Sequence, residues 1–396
     1  MKSRLKIKYN AYDNFLYLIL IPFLYPRGFQ EYFSLYKLFF TTWLYLAMVL
    51  IIGMFFYHVI RLHKSYKICV WTMLAYYVAF ITITLIMQGG ISEGLQKLFM
   101  APALCLFCAM CLQNKINNFV RCVSNLLLLN FALNLTVFNP LLWNNFFNVD
   151  GHIIFIGHVQ VASQLGILGL FIAYVLYRQN EVKKSKWLVC LSYLTMLISE
   201  TAASYVALII ITLGYLLLKF NKKLKNNRNI SKILLLGFIG MNILFLYILR
   251  VYSSGLVSTA ITAATSGRTY VWREALALMN DHWVFGYGVY GVLIKVFWSA
   301  WSSNPGGMNY AHNELLQRLL DGGLVLMLLF LIMLLTYISG ISKAKDSRIK
   351  YYANICLLSL LVIMLFESVT EYYYFFIVLS MFAYLPEITN SFVKEE

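Results

Sequence analysis

Two short stretches hold the residue types best suited to chemistry on an anionic substrate. The first is Ser266-Gly267-Arg268-Thr269-Tyr270-Val271-Trp272, followed by Arg273. The second is Ala311-His312-Asn313-Glu314-Leu315-Leu316-Gln317, followed by Arg318. The free backbone N–H groups at a helix start favour an anion, and an arginine there adds a planar two-pronged clamp for phosphate. Arg268 stands at such a start. Arg273 lies five residues on, about 140° around an ideal helix, so the two suit a diphosphate or two ligands better than one phosphate. The alternative is that each arginine snorkels to lipid headgroups. His312 stands close to the start of a second helix, and imidazole is the side chain best placed to move a proton near neutral pH. A lone loop histidine is more often plain surface. Glu314 and Arg318 have the i, i+4 spacing of a helix-face ion pair. Glu367 and Glu371 flank a later turn beside Tyr372, Tyr373 and Tyr374. A carboxylate at a membrane edge either faces water or has a task, and Glu200 is placed similarly.

Several signatures are missing. No Asp-x-Asp pair, Gly-x-x-x-x-Gly-Lys loop or His-Glu-x-x-His site occurs, so metal–nucleotide sugar, ATP and zinc chemistry find no motif here. Any reaction is expected to need no cofactor or metal and to use a lipid-borne substrate. Cys105, Cys108 and Cys111 recur every three residues inside an apolar run and read as packing residues rather than metal ligands.

The elements that must position these residues are membrane helices. Of 396 residues, 61% are hydrophobic and 12% charged, with a mean hydropathy of +0.72, against about 25% charged in an average soluble domain. The expected fold is an all-α polytopic helix bundle, a single membrane domain over 1–396. A helix of about 20 residues crosses a bilayer core. Twelve stretches qualify: 13–25, 38–60, 68–88, 97–113, 119–140, 153–177, 187–200, 203–219, 232–250, 324–341, 351–368 and 371–390. With the N-terminus placed in the cytoplasm, 24 lysines and arginines fall in cytoplasmic segments and 8 in outer ones. That bias is the positive-inside pattern, and it puts both termini inside and the long 251–323 loop outside. The net charge of +16 is thereby explained without nucleic acid. Lys2, Arg4, Lys6 and Lys8 precede the first apolar run with no small-residue cleavage site after it, so that run reads as a retained anchor.

Within the loop, 252–266 reads as a flexible entry. Residues 268–283 read as a helix, because Trp272, Ala275, Leu276, Met279 and Trp283 form one apolar stripe. Two tryptophans on that stripe suit a helix lying at headgroup depth. Phe285-Gly286-Tyr287-Gly288 ends it. Residues 298–309, with Trp298 and Trp301, read as an irregular aromatic lid. A second helix begins at Ala311 and kinks at Gly322-Gly323.

Ser266-Gly267-Arg268, Trp272, Phe285-Gly286-Tyr287-Gly288, and Ala311-His312-Asn313 with Leu316 and Gly323 resemble the signature region of the O-antigen polymerase and ligase family. The resemblance is strong over roughly 262–335 and elsewhere rests on span number and the place of the large loop. It implies a glycosyltransferase that takes glycan repeat units from undecaprenyl diphosphate on the outer face of the bacterial inner membrane. It also implies that Arg268 holds the diphosphate and that His312 assists the acceptor. The family often has Ser-Arg at the outer end of a middle span, whereas Thr201-Ala202-Ala203-Ser204-Tyr205 has tyrosine at that place, so Arg273 or Arg250 is left to supply the second cation.

The expected function is polymerisation of lipid-linked O-antigen or capsule repeat units. His312 and Glu367 are the candidate catalytic residues, and Arg268, Arg273, Trp298, Trp301, Tyr310 and Arg318 the candidate substrate-binding ones. The tryptophans and Tyr310 would stack on sugar faces. The rivals are a ligase of the same fold, which passes the glycan to a lipid A-core acceptor, and a lipid-linked oligosaccharide flippase with no catalytic residue. Expected partners are the undecaprenyl-diphosphate-linked oligosaccharide and membrane lipids, with a chain-length regulator and a flippase as further candidates.

Overall fold

The structure is a computed structural model. It describes residues 11–61, 67–147, 152–220, 229–251, 259, 262–263, 265, 267–295 and 310–392. Trp298 and Trp301 lie outside the described residues.

The chain is a multi-pass helical bundle. In order come α1 (Ala11–Leu24), α2 (Ser34–Arg61), α3 (Ile68–Ile86), α4 (Ile91–Asn114), α5 (Ile116–Leu135) and the short α6 (Pro140–Phe147). A two-residue hairpin, β1 (Ile153–Ile154) and β2 (Gly157–His158), leads into α7 (Val161–Arg178). Then follow α8 (Val182–Ile198), α9 (Ala202–Phe220), α10 (Ile230–Val251), α11 (Arg268–His282), α12 (Glu314–Lys343), α13 (Ser347–Met364), α14 (Tyr373–Ala383) and α15 (Leu385–Phe392). In hydrocarbon every backbone polar group needs an internal partner, which is why an apolar chain of this kind resolves into helices.

Among the described residues, eight helices are long and apolar enough to cross a membrane, and nine if α14 and α15, bent by 64°, form one span. The expected stretches overlap helices, but the count of twelve spans is not confirmed: the sixth stretch opens on the hairpin and becomes helical only at Val161, and the twelfth is divided between α14 and α15. The three stretches beyond those nine fall on α1 and α9, shorter apolar helices, and on α8, whose 17 residues carry Lys183, Lys184 and Lys186. The tight turn expected between the seventh and eighth stretches is present between Ile198 and Ala202.

α4, α7, α13 and α14 form the buried interior, whereas α2, α9 and α10 keep large apolar side chains such as Leu38, Ile209 and Leu244 exposed. Those outer faces suit lipid contact. Small residues let helices approach: a side chain at Gly166 or Gly169 of α7 would run into Met196 or Ser192 of α8.

The turns after α1, α3, α5 and α13 gather at the same end of the bundle as α11. Arg27 and Gly28 donate backbone hydrogen bonds to Ile156 and Phe155 of the hairpin, at 3.4 and 3.0 Å, and Gly90 donates to Val289 at 2.7 Å. α11 begins at Arg268, as expected, but its stripe packs on protein. Trp272 is fully buried, with Phe245 of α10 edge-on at 4.8 Å, and Val271, Ala275 and Met279 join Leu316 and Leu320 of α12 in one cluster. Trp283, just past the end of the helix, is 59% exposed. The reason is that burying a stripe against two neighbouring helices removes more apolar surface from water than lying at headgroup depth.

α12 breaks at Gly322 and Gly323, where Gly323 sits at φ 62°, ψ −160°, a region open essentially to glycine alone. The break orphans backbone groups, and the segment after α11 takes them up. Tyr287 N–H donates to Leu320 C=O, and Leu324 N–H donates to Trp283 C=O, both at 2.8 Å.

Candidate active site

The Ala-His-Asn turn is fixed before α12 begins. The Asn313 side chain accepts from Leu316 N–H at 2.9 Å, capping the helix. Its amide donates to Asn242 of α10 at 2.9 Å and to Leu365 C=O at 3.0 Å. Gln317 reaches back to accept from Ala311 N–H at 2.7 Å. His312 is held at φ 49°, an uncommon conformation for a non-glycine residue. The helix therefore starts at Glu314, three residues later than expected.

Glu314 ties this turn to the one that carries Glu367. Its carboxylate accepts from the Thr370 hydroxyl at 2.8 Å and the Thr370 N–H at 3.1 Å. The result brings His312 Nδ1 to 3.2 Å from Glu367 Oε2. Glu367 Oε1 accepts from Gln160 Nε2 at 2.6 Å and from the Arg268 guanidinium. Histidine and glutamate are 4% and 7% exposed, so their interaction is little screened by water. The Tyr310 ring stands 4.4 Å from the His312 ring. Burial, with Glu367 and Glu371 nearby, pushes the Tyr310 hydroxyl up to about 12. It therefore stays a hydrogen-bond donor at neutral pH.

A second cluster of charges adjoins the first. Lys97, on a π turn (Gln96–Met100) within α4, pairs with Glu371 and lies 3.6 Å from Asp321. Arg318 forms ion pairs with Glu314 at 3.0 Å and Asp321 at 3.2 Å, and its guanidinium donates to the Tyr76 hydroxyl at 3.1 Å. The Tyr290 hydroxyl donates to Glu371 at 2.8 Å. Burial alone would raise the Glu371 carboxyl, but Lys97 and Arg318, with hydrogen bonds from Lys97 and Tyr290, hold it below its ordinary value.

Of the residues singled out from sequence, the fold assembles Arg268, His312, Glu367 and Tyr310. Arg318 is buried and committed to two carboxylates, so it does not face a substrate space as a binding residue would. Arg273, half-buried on α11, is not among the partners of Glu367 in the described residues. Glu200 is exposed, at φ 52° in the α8–α9 turn. Tyr205 is 41% exposed, and Ser204 beside it bonds the Ser199 and Thr201 hydroxyls.

Sequence reasoning missed Gln160, Thr370, Asp321 and the inward place of Lys97. An ionisable residue opening an apolar run was a usable signal for Lys97. Gln160 gave none, because only the fold brings it 207 positions along the chain to Glu367.

Residues 187–331 match the family model described as O-antigen ligase. The match supports membership of the O-antigen polymerase and ligase family. The matched region runs from α8 into α12 and contains Arg268 and His312, whereas Gln160, Glu367 and Lys97 come from outside it. No curated protein matches the chain at a significant level.

Proposed function

We propose that this member of the O-antigen family is a polymerase of lipid-linked polysaccharide repeat units. It works on the outer face of the bacterial inner membrane, on glycan carried by undecaprenyl diphosphate. The observation that carries the reading is the His312–Glu367–Arg268 constellation in one largely buried site. An acceptor hydroxyl of a fresh lipid-linked repeat attacks the anomeric carbon of the donor glycan. The bond from that carbon to the diphosphate oxygen breaks, and the lipid diphosphate leaves. With Nδ1–H donating to Glu367, the Nε2 of the same ring accepts the hydroxyl proton, and Glu367 stabilises the imidazolium. Arg268 turns its guanidinium from Glu367 to the leaving diphosphate and offsets the charge that grows there. Arg318 and Lys97 act as positioning residues that hold the two turns together. Trp298, Trp301 and Tyr310 supply faces for sugar rings, and Arg273 contributes positive charge near the diphosphate. No metal or cofactor is assigned a part. A chain-length regulator and a flippase are proposed partners, and both termini are placed in the cytoplasm.

The description of the matched family favours a second reading, a ligase that passes the finished glycan to lipid A-core or a similar acceptor. One experiment separates them: the surface-glycan profile of a deletion strain complemented with wild type or His312→Ala. Acceptors bearing a single repeat unit, with the ladder restored by wild type alone, are the outcome for a polymerase. Bare acceptors with long lipid-linked chains indicate the ligase. An unchanged ladder in the deletion strain sinks both.

A further inference from the structure

Four basic residues, one each from α11, α4, α12 and the α1–α2 turn, have buried or half-buried side chains at the loop end of the bundle. Arg268 has Glu367, Lys97 has Glu371 and Asp321, and Arg318 has Glu314 and Asp321. The fourth, Arg27, differs. Among the described residues no carboxylate lies within ion-pairing distance of it. Its guanidinium stands 4.7 Å from the centre of the Tyr373 ring and 5.8 Å from that of Tyr25. Its Nε is buried with no hydrogen-bond partner among the described residues. Aromatic faces attract a cation, but they do not neutralise it, and a partly desolvated cation without an anion is costly.

Snorkelling does not account for this placement. A snorkelling arginine reaches water from a flexible stem. Arg27 is instead gripped on both sides of its backbone, by the bond from its own N–H to Ile156 and by Gly28 to Phe155. A side chain at Gly28 would collide with the Phe155 carbonyl and with Trp143, at 2.8 and 2.9 Å. The Tyr36 hydroxyl donates to the Pro26 carbonyl at 2.8 Å, and Tyr25 stacks on Phe40 at 4.2 Å. The cation is thus preorganised.

Its neighbours lead to the site from two directions. The hairpin turn it binds at Ile156 leads through β2 to Gln160, which holds Glu367. Tyr373, over which it lies, follows Thr370 and Glu371, which hold Glu314 and Lys97.

We propose that Arg27, held against the Tyr25 and Tyr373 rings and linked through the hairpin to the segment that carries Gln160, binds a phosphoryl group of a phosphorylated lipid. The lipid is either the diphosphate-linked substrate or an anionic bilayer lipid. In the first case the inference rests on the polymerase reading and gives that site a second cation, from the α1–α2 turn.

The test uses the purified full-length chain in detergent, with farnesyl diphosphate, farnesol and phosphatidylglycerol as probes. Wild type is expected to bind farnesyl diphosphate at least tenfold more tightly than farnesol. Arg27→Gln is expected to lose tenfold or more of the farnesyl diphosphate affinity, with farnesol unchanged, and Arg27→Lys to lose less. Loss of phosphatidylglycerol binding alone assigns the phosphoryl group to a bilayer lipid. Equal binding of both phosphorylated probes by wild type and Arg27→Gln overturns the proposal. If Arg27→Gln fails to fold, Arg27→Met carries the comparison, and binding of both phosphorylated probes equal to wild type again overturns the proposal. The polymerase reading fails separately: an unchanged ladder in the deletion strain removes it and leaves the binding result standing.

Discussion

At the residue scale, Glu367 is the centre of the site because it touches His312, Gln160 and Arg268. A carboxylate so placed fixes the tautomer of the imidazole and stabilises its charged form. Glu367→Gln keeps the shape and removes the charge. It should lower repeat-unit transfer about 10²–10⁴-fold, the usual range for general acid–base groups, as read by glycan incorporation in isolated membranes. Transfer within a few-fold of wild type would remove Glu367 from the chemistry. Arg268→Lys keeps the charge but loses the two-pronged geometry. It is expected to retain more transfer than Arg268→Ala, and equal activity in the two variants would argue against a phosphate clamp.

At the element scale, the site depends on one glycine-dependent joint and one cap. A side chain at Gly323 would meet the Val284 backbone, and its φ of 62° is strained for any other residue. Gly323→Ala should therefore cost about 1–3 kcal/mol and lower the thermal midpoint of the detergent-solubilised protein. A midpoint equal to wild type would mean that the break in α12 relaxes without strain. The cap at Asn313 does more than end a helix. Asn313→Ala loses the bond to Leu316 and the two amide bonds to α10 and Leu365. The cap itself is worth about 0.5–2 kcal/mol, and transfer should fall as His312 loses its seat. Neither Gly322-Gly323 nor Asn313 is hidden in the sequence. The kink was legible at Gly322-Gly323, and the helix start was read at Ala311, three residues early, because the capping role of Asn313 was not recognised.

At the scale of the whole molecule, the Lys97–Glu371–Asp321–Arg318 network joins α3, α4, α12 and the turn before α14. Removing one partner of a buried pair leaves the others uncompensated, at about 3–5 kcal/mol. Lys97→Met should show that loss as a lower thermal midpoint at pH 7. The pH dependence follows from Glu371, whose folded value lies below its ordinary value of 4.5. The stability it contributes is complete above 4.5 and is lost as pH falls through the lowered folded value. Thermal midpoints measured from pH 7 down to pH 3 should therefore drop at the acid end for wild type. The drop should be smaller in Lys97→Met, where the main cation holding Glu371 down is gone. Parallel curves would show that the network does not set acid stability.

The sequence by itself determined the membrane helices, the gathering of the less basic turns with the long loop, the two loop helices and the identity of Arg268 and His312. These follow from apolar run length, loop charge and short-range motifs, which act over a few turns of chain. It also named Glu367, though only as a carboxylate at a membrane edge. Tertiary structure decided that Glu367 faces His312, that Gln160 completes its shell and that Arg318 is locked between two carboxylates. It also turned the Trp272 stripe inward onto α10 and α12. Those outcomes depend on contacts between residues tens to hundreds of positions apart. The pairing of helices sets such contacts, and no local pattern of residue types encodes it.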